Sequence, residues 1–167
     1  YAVENNKIIL LDFTGWACAN CRRMEENVWS KPKIYELLDN NYVIISLYVD
    51  DRTKLSDTEK FKYINKSGRI QYINNIGRRW SLFQQINFNN ASQPYYVAML
   101  PSGKILSEPI QFTSDKNFQN WLEKSIEESM EIIQSVKSNK FDESIFISVK
   151  LGLDPKKSDL NVRGAVT

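Results

Sequence analysis

The residues of this chain best equipped for chemistry are its two cysteines, Cys18 and Cys21, set in the run Asp12-Phe13-Thr14-Gly15-Trp16-Ala17-Cys18-Ala19-Asn20-Cys21-Arg22-Arg23. An apolar, β-branched run, Ile8-Ile9-Leu10-Leu11, leads in as a buried strand would, and Arg22 to Trp29 leads out with helical spacing. Cys18 is then expected at a strand-to-helix junction. Unpaired backbone N–H groups and the positive end of a helix dipole favour the thiolate there, the form of cysteine that attacks disulfides. Cys21 follows one helical turn on, close enough to bond Cys18 and release a mixed disulfide. The spacing describes a reversible two-electron switch. Two other uses of the pair stay open at this point, a structural bridge and part of a metal or cluster site shared across a dimer. A closed structural zinc site wants four Cys or His ligands, and the chain has no His and no second cysteine pair.

Three neighbours could tune or serve that pair. Asp12 interrupts an apolar strand just before the loop; burial there would raise its pKa and let it exchange a proton with Cys21, whereas a strand-end carboxylate in water would do neither. Arg22, four residues after Cys18, could add positive potential or be a solvated surface arginine. Trp16 could shield the pair and touch partners, or simply pack half-buried.

These residues resemble a known family. Leu11 through Cys21 is similar to the thioredoxin superfamily, and the longer run "DFTGWACANCRRMEENVW" (Asp12 to Trp29) resembles the C-terminal thioredoxin-like domain of DsbD-type thiol:disulfide interchange proteins. "ISLYVDD" (Ile45 to Asp51) and "SQPYYVAMLPSGKIL" (Ser92 to Leu106) match the same pattern in the same order, so that the likeness spans roughly residues 7 to 137. Two positions depart from it. Ala17 stands where such domains usually carry a tryptophan, and Ser46 where thioredoxins often carry a lysine near the buried aspartate.

The resemblance implies an α/β, thioredoxin-like fold with a mixed central β-sheet flanked by helices on both faces, covering 1–138, with 139–167 as a C-terminal extension. It implies a thiol-disulfide oxidoreductase, a protein-disulfide reductase in which Cys18 attacks, Cys21 resolves and Asp12 relays a proton. It implies that Pro94 is held cis opposite the pair, with Gln93 offering its backbone to an extended substrate segment; the plainer alternative is a proline opening an edge strand. No separate cofactor and no metal are expected beyond the Cys18–Cys21 disulfide. Electrons would come from a membrane-embedded thiol carrier, on the same full-length chain or a separate one, and pass to disulfide-bearing periplasmic proteins. Two rivals remain, a binding module of the same fold braced by its disulfide and a thiol oxidase or isomerase.

Composition sets wider bounds. A chain of 167 residues with 42% hydrophobic and 12% aromatic residues is not disordered by composition. Its formal charge of +2 is too even to argue for nucleic acid or an anionic membrane surface. The longest apolar runs, Ile8 to Leu11 and Tyr42 to Val49, are too short to span a bilayer, so direct membrane insertion of this segment is not expected. The chain opens at Tyr1, and the expectation is a fragment or mature segment, periplasmic by resemblance and tethered to the inner membrane in a longer protein.

The positioning elements follow from periodicity. Ile8 to Phe13 reads as a central strand, apolar on both faces. The helix from Cys18 puts Cys21, Met24 and Val28 on one side; Ser30-Lys31-Pro32 interrupts it, and a restart carries Ile34, Leu37 and Leu38 inward until Asn40-Asn41 breaks it. Tyr42 to Val49 reads as a second buried strand, joined to the first by a right-handed crossover. A short helix is expected over Asp57 to Asn65, and an amphipathic helix over Asn75 to Asn87 with Ile76, Trp80, Phe83 and Ile86 facing the sheet. Tyr95 to Leu100 and Lys104 to Ser107 are expected to form a hairpin across Pro101-Ser102-Gly103. Phe112 to Ser138 is the last long helix, capped by Ser114, with Phe118, Trp121, Leu122 and Ile126 inward. Beyond Asn139, Ile145, Ile147, Val149, Leu151 and Leu153 alternate like a strand, while Phe141, Ile145 and Val149 fit a helix. Asn65-Lys66-Ser67 and Asn90-Ala91-Ser92 match the glycosylation tripeptide.

Overall fold

A computed structural model describes residues 1–65 and 67–138. The expectations for the tail after Asn139, and the part of the Asn65 tripeptide at residue 66, lie outside the described residues. The chain divides into two compact units, one running to Leu47 and resuming at Ser92, the other running from Tyr48 to Ala91.

The first unit carries a mixed four-stranded sheet in the order β2-β1-β5-β6, where β1 is Ile8–Thr14, β2 Tyr42–Tyr48, β5 Tyr95–Met99 and β6 Ile110–Gln111. β1 is central, and six of its seven residues are buried, as a strand covered on both faces must be. It pairs antiparallel with β5, Phe13 opposite Tyr95 and Asp12 opposite Tyr96. Helix α1 (Ala19–Met24) runs straight into a π-helical turn, Glu25–Trp29, and Pro32 then starts α2 (Pro32–Asn41) at the helix position where its missing N–H is harmless. The long helix α4 (Asp115–Ser138) closes the unit. Its first turn is satisfied by Ser114, whose Oγ accepts from Asn117 N at 3.3 Å.

One core joins these elements. Ile8 and Leu10 of β1, Tyr96 and Ala98 of β5, Met24 and Val28 after the disulfide, Ile34 and Leu38 of α2, and Phe118, Trp121 and Leu122 of α4 form a single buried cluster. Aromatic rings set its register: Tyr96 meets Phe118 edge-on at 5.2 Å, and Trp29 stacks on Phe118 at 6.2 Å. Tyr42 adds a polar tie, its hydroxyl donating to the Leu122 carbonyl at 2.7 Å. The strand that enters the cysteine loop and the helical segment that leaves it thereby pack into one core.

The second unit is built from a hairpin, β3 (Phe61–Ile64) and β4 (Ile70–Ile73), and helix α3 (Ile76–Phe88). Leu55, Ile73 and Leu82 form its centre, with Phe61, Tyr63, Ile76 and Ile86 packed around them. Asn75 caps α3 by accepting from Arg78 N at 2.8 Å, and Asn89 ends it in the left-handed conformation at φ 48°.

Four expectations need correction. The helix expected over Asp57 to Asn65 is instead a turn at residues 57–59 followed by strand β3, in which Phe61 and Tyr63 alternate inward while Lys62 and Ile64 point out, and Gly68, at φ 78°, supplies the left-handed turn residue. β2 is an edge strand and not a buried one: Ile44 and Ser46 are exposed, leaving only Tyr42 and Leu47 buried. The return strand at Lys104 to Ser107 shrinks to one bridge, Met99 to Ile105, and regular pairing with β5 resumes at Ile110–Gln111. In α3 the fully buried positions are Gly77, Leu82 and Gln84, whereas Ile76, Trp80, Phe83 and Ile86 are only partly covered.

Candidate active site

Cys18 and Cys21 are joined in a disulfide with an S–S distance of 2.05 Å. Cys18 is the N-cap of α1: its backbone is extended, its carbonyl accepts from Arg22 N at 3.2 Å and its Sγ accepts from Cys21 N at 3.1 Å. A sulfur that receives a backbone N–H at a helix start is an environment that favours the anion. Cys18 is half-buried, whereas Cys21, one turn on, is only 1% exposed. The two cysteines therefore differ in access. Trp16 stands beside them at 65% exposure.

Asp12 lies on β1, 2% exposed, and Ser46 Oγ of β2 donates to its Oδ2 at 3.1 Å. Burial pushes its pKa up to about 7, and the nearby Glu25 adds to the rise, while the Ser46 hydrogen bond and the Arg22 charge pull the other way. A carboxyl poised near neutrality is matched to proton transfer at physiological pH. Ser46, in the position where the resemblance would put a lysine, supplies a hydrogen bond without a charge. Burial also raises Glu25, in the π-helical turn, which Arg22 opposes.

Gln93 and Pro94 close the other side. Pro94 is fully buried, its bond to Gln93 is cis, and Tyr95 immediately after it pairs with Phe13. That register brings Gln93 and Pro94 to the end of β1 from which the cysteine loop departs. All seven residues singled out from the sequence, Asp12, Trp16, Cys18, Cys21, Arg22, Gln93 and Pro94, thus lie in one unit around the end of β1.

Sequence reasoning missed Glu25 and Thr14. Arg22 Nη2 is 2.7 Å from Glu25 Oε1 and donates to Thr14 Oγ1 at 3.2 Å, and Thr14 is fully buried at the end of β1. The i,i+3 spacing of Arg22 and Glu25 is legible as a pair, but such pairs usually mark a solvated face. Among the described residues no group of three or more His, Cys, Asp or Glu is arranged to hold a metal ion, and no helix is long and apolar enough to cross a membrane.

The model of the thioredoxin-like domain family matches residues 1–126. The chain belongs to the thioredoxin-like domain family. Solved structures agree on this fold. A thioredoxin from Thermus thermophilus superimposes with a TM-score of 0.51 at 16% identity, over 75% of this chain and 78% of that one. A thioredoxin-fold protein from Helicobacter pylori gives 0.50 at 15% identity, over 78% and 82%. The chain is also similar to the large ribosomal subunit protein uL1 of Acidithiobacillus ferrooxidans, 52% identical over 42 residues, which are 25% of this chain and 18% of that protein. The uL1 of Chlamydia caviae is 42% identical over 43 residues, and the chain again spans 18% of its length. Membership in the thioredoxin-like family and the C-x-x-C disulfide of Cys18 and Cys21 are consistent with thiol-disulfide exchange.

Proposed function

We propose that this domain is a protein-disulfide reductase of the DsbD type, acting through Cys18 and Cys21. The observation that carries the proposal is the asymmetry of the pair: a half-buried Cys18 sulfur receiving a backbone N–H at a helix start, and a Cys21 sealed at 1% exposure. In the reduced domain the Cys18 thiolate attacks one sulfur of a partner disulfide; that S–S bond breaks, a mixed disulfide forms and the first partner thiolate leaves. Asp12, ionised near neutrality, takes the proton of Cys21. The Cys21 thiolate then attacks Cys18 Sγ, the mixed disulfide breaks and the second partner thiolate departs. Two electrons have passed to the partner, and the domain holds the disulfide seen in the structure. The backbone of Gln93, beside Pro94, would pair with the extended partner segment, and Trp16 would pack against it.

A thiol carrier must then reduce the domain again. By the likeness to DsbD-type proteins this carrier is membrane-embedded, the partners are periplasmic disulfide proteins and the working compartment is the periplasm. The domain proper is taken as 1–138. The test is trapping: C21S, reduced and mixed with a periplasmic extract, is expected to collect disulfide-linked partners on Cys18 that dithiothreitol releases, and C18S none. Equal trapping by both variants would sink the assignment of roles. A pair that stays oxidised far below the glutathione range would favour the structural brace instead.

A further inference from the structure

The charges of the second unit are spread far less evenly than the chain's total of +2 suggests. From Lys60 to Ser107 there is no Asp or Glu, while six cations, Lys60, Lys62, Lys66, Arg69, Arg78 and Arg79, crowd the first part of that stretch. Two of them are neutralised locally, Lys60 by Asp57 and Arg79 by Glu59. Among the described residues no ion pair engages Lys62, Arg69 or Arg78, and all three are exposed.

The β3–β4 hairpin gathers these three cations around an apolar patch. Its register pairs Phe61 with Ile73, Lys62 with Tyr72, Tyr63 with Gln71 and Ile64 with Ile70. Alternation sends Phe61, Tyr63 and Ile73 to the centre of the unit, so the pairs Lys62–Tyr72 and Ile64–Ile70 share the outer face. There Ile64 is 63% exposed, Ile70 50% and Tyr72 55%. Lys62 Nζ stands 5.3 Å from the centre of the Tyr72 ring, Arg78 Nη1 donates to the Tyr72 carbonyl at 3.0 Å, and Arg69 precedes Ile70 at the turn. Three cations thus rim two aliphatic side chains that the core leaves uncovered.

We propose that the outer face of this hairpin docks on an anionic lipid surface, Ile64 and Ile70 entering the boundary between headgroups and acyl chains while Lys62, Arg69 and Arg78 meet lipid phosphates. Charge and chemistry together select this occupant. Burying the two isoleucines is favourable only where the medium beneath the anions is apolar, and a lipid leaflet is anionic at its surface and hydrocarbon below. A single-stranded nucleic acid calls for flat aromatic faces between the cations, and this face offers one exposed ring, Tyr72, beside two aliphatic side chains. The contact uses none of the redox residues, so it stands or falls apart from the reductase reading.

The test is co-sedimentation of the oxidised full chain with phosphatidylglycerol vesicles and, separately, with phosphatidylcholine vesicles. Binding to the first and not to the second is expected, weakening as salt is added. K62Q/R69Q should reduce it by about tenfold or more, at roughly fivefold for each cation removed near the surface. I64T/I70T, which keeps the β-branched shape that suits a strand, should also reduce it by about tenfold. Should that double variant fail to fold, I64T alone takes its place, with a loss of about threefold. K33Q/K116Q removes two cations from exposed sites of the first unit and should change binding by less than about twofold. Equal binding to both kinds of vesicle, binding to neither, or a loss with K33Q/K116Q as large as with K62Q/R69Q would overturn the proposal. So would vesicle binding that the isoleucine variants leave intact, or single-stranded DNA held as tightly as the vesicles and released by K62Q/R69Q alone, which would assign the face to a nucleic acid.

Discussion

At the scale of single residues, the site joins groups whose individual environments pull in opposite directions. Cys18 Sγ receives a backbone N–H at a helix start, an environment that favours a thiolate once the pair is reduced, while burial disfavours the Asp12 anion. In the proposed exchange the first would carry negative charge and the second a proton. The same asymmetry predicts unequal reactivity in the reduced protein. Iodoacetamide at pH 7 should modify Cys18 at least about tenfold faster than Cys21, read by mass spectrometry of the two peptides, because thiolate character and access both favour the outer sulfur. Equal rates would mean that the helix start confers no advantage.

At the scale of elements, two contacts decide whether the parts hold their geometry. Phe118 of α4 is fully buried against Tyr96, Trp29 and Trp121, and so ties the last helix to β5 and to the turn behind the disulfide. F118A should cost about 3–5 kcal/mol in a urea titration through the cavity it leaves. In the second unit Gly77, near the start of α3, donates its N–H to Asp51 O at 2.9 Å, and a Cβ there would come within 2.5 Å of Val49 O and 2.6 Å of Asp51 N. These are backbone atoms with nowhere to go. G77A should therefore destabilise by on the order of 2 kcal/mol, seen as faster hydrogen exchange in residues of α3.

At the scale of the whole molecule, the buried acid makes stability depend on pH. The folded-state value of Asp12, about 7, lies above its ordinary 3.8, so between these values the folded chain holds a proton that the unfolded chain has lost. Stability should accordingly fall as the pH rises from about 4 to 7 and then level off. D12N removes the titrating group while keeping an acceptor for Ser46. Its gain over the wild type should approach about 4 kcal/mol at pH 8 and vanish near pH 4, by urea denaturation of the oxidised form. A pH-independent difference would mean that Asp12 is solvated after all.

What the sequence determined by itself is local. The C-x-x-C spacing, the apolar run before it, the proline that restarts the helix at residue 32, and the periodicity of α4 are properties of neighbouring residues, and backbone sterics and helical spacing convert them directly into structure. Whether Phe61 to Ile64 was strand or helix was not local, because four residues with two inward aromatics suit a hairpin only once β4 lies beside them. The edge position of β2 likewise depended on strand order, which no run of apolar residues encodes. The electrostatics of the site were the most distant from the sequence. Asp12, Thr14, Arg22, Glu25, Ser46 and Tyr96 come from three strands, one helix and a π-helical turn, and only when the chain had folded did water leave Asp12 and Arg22 reach Thr14 as well as Glu25.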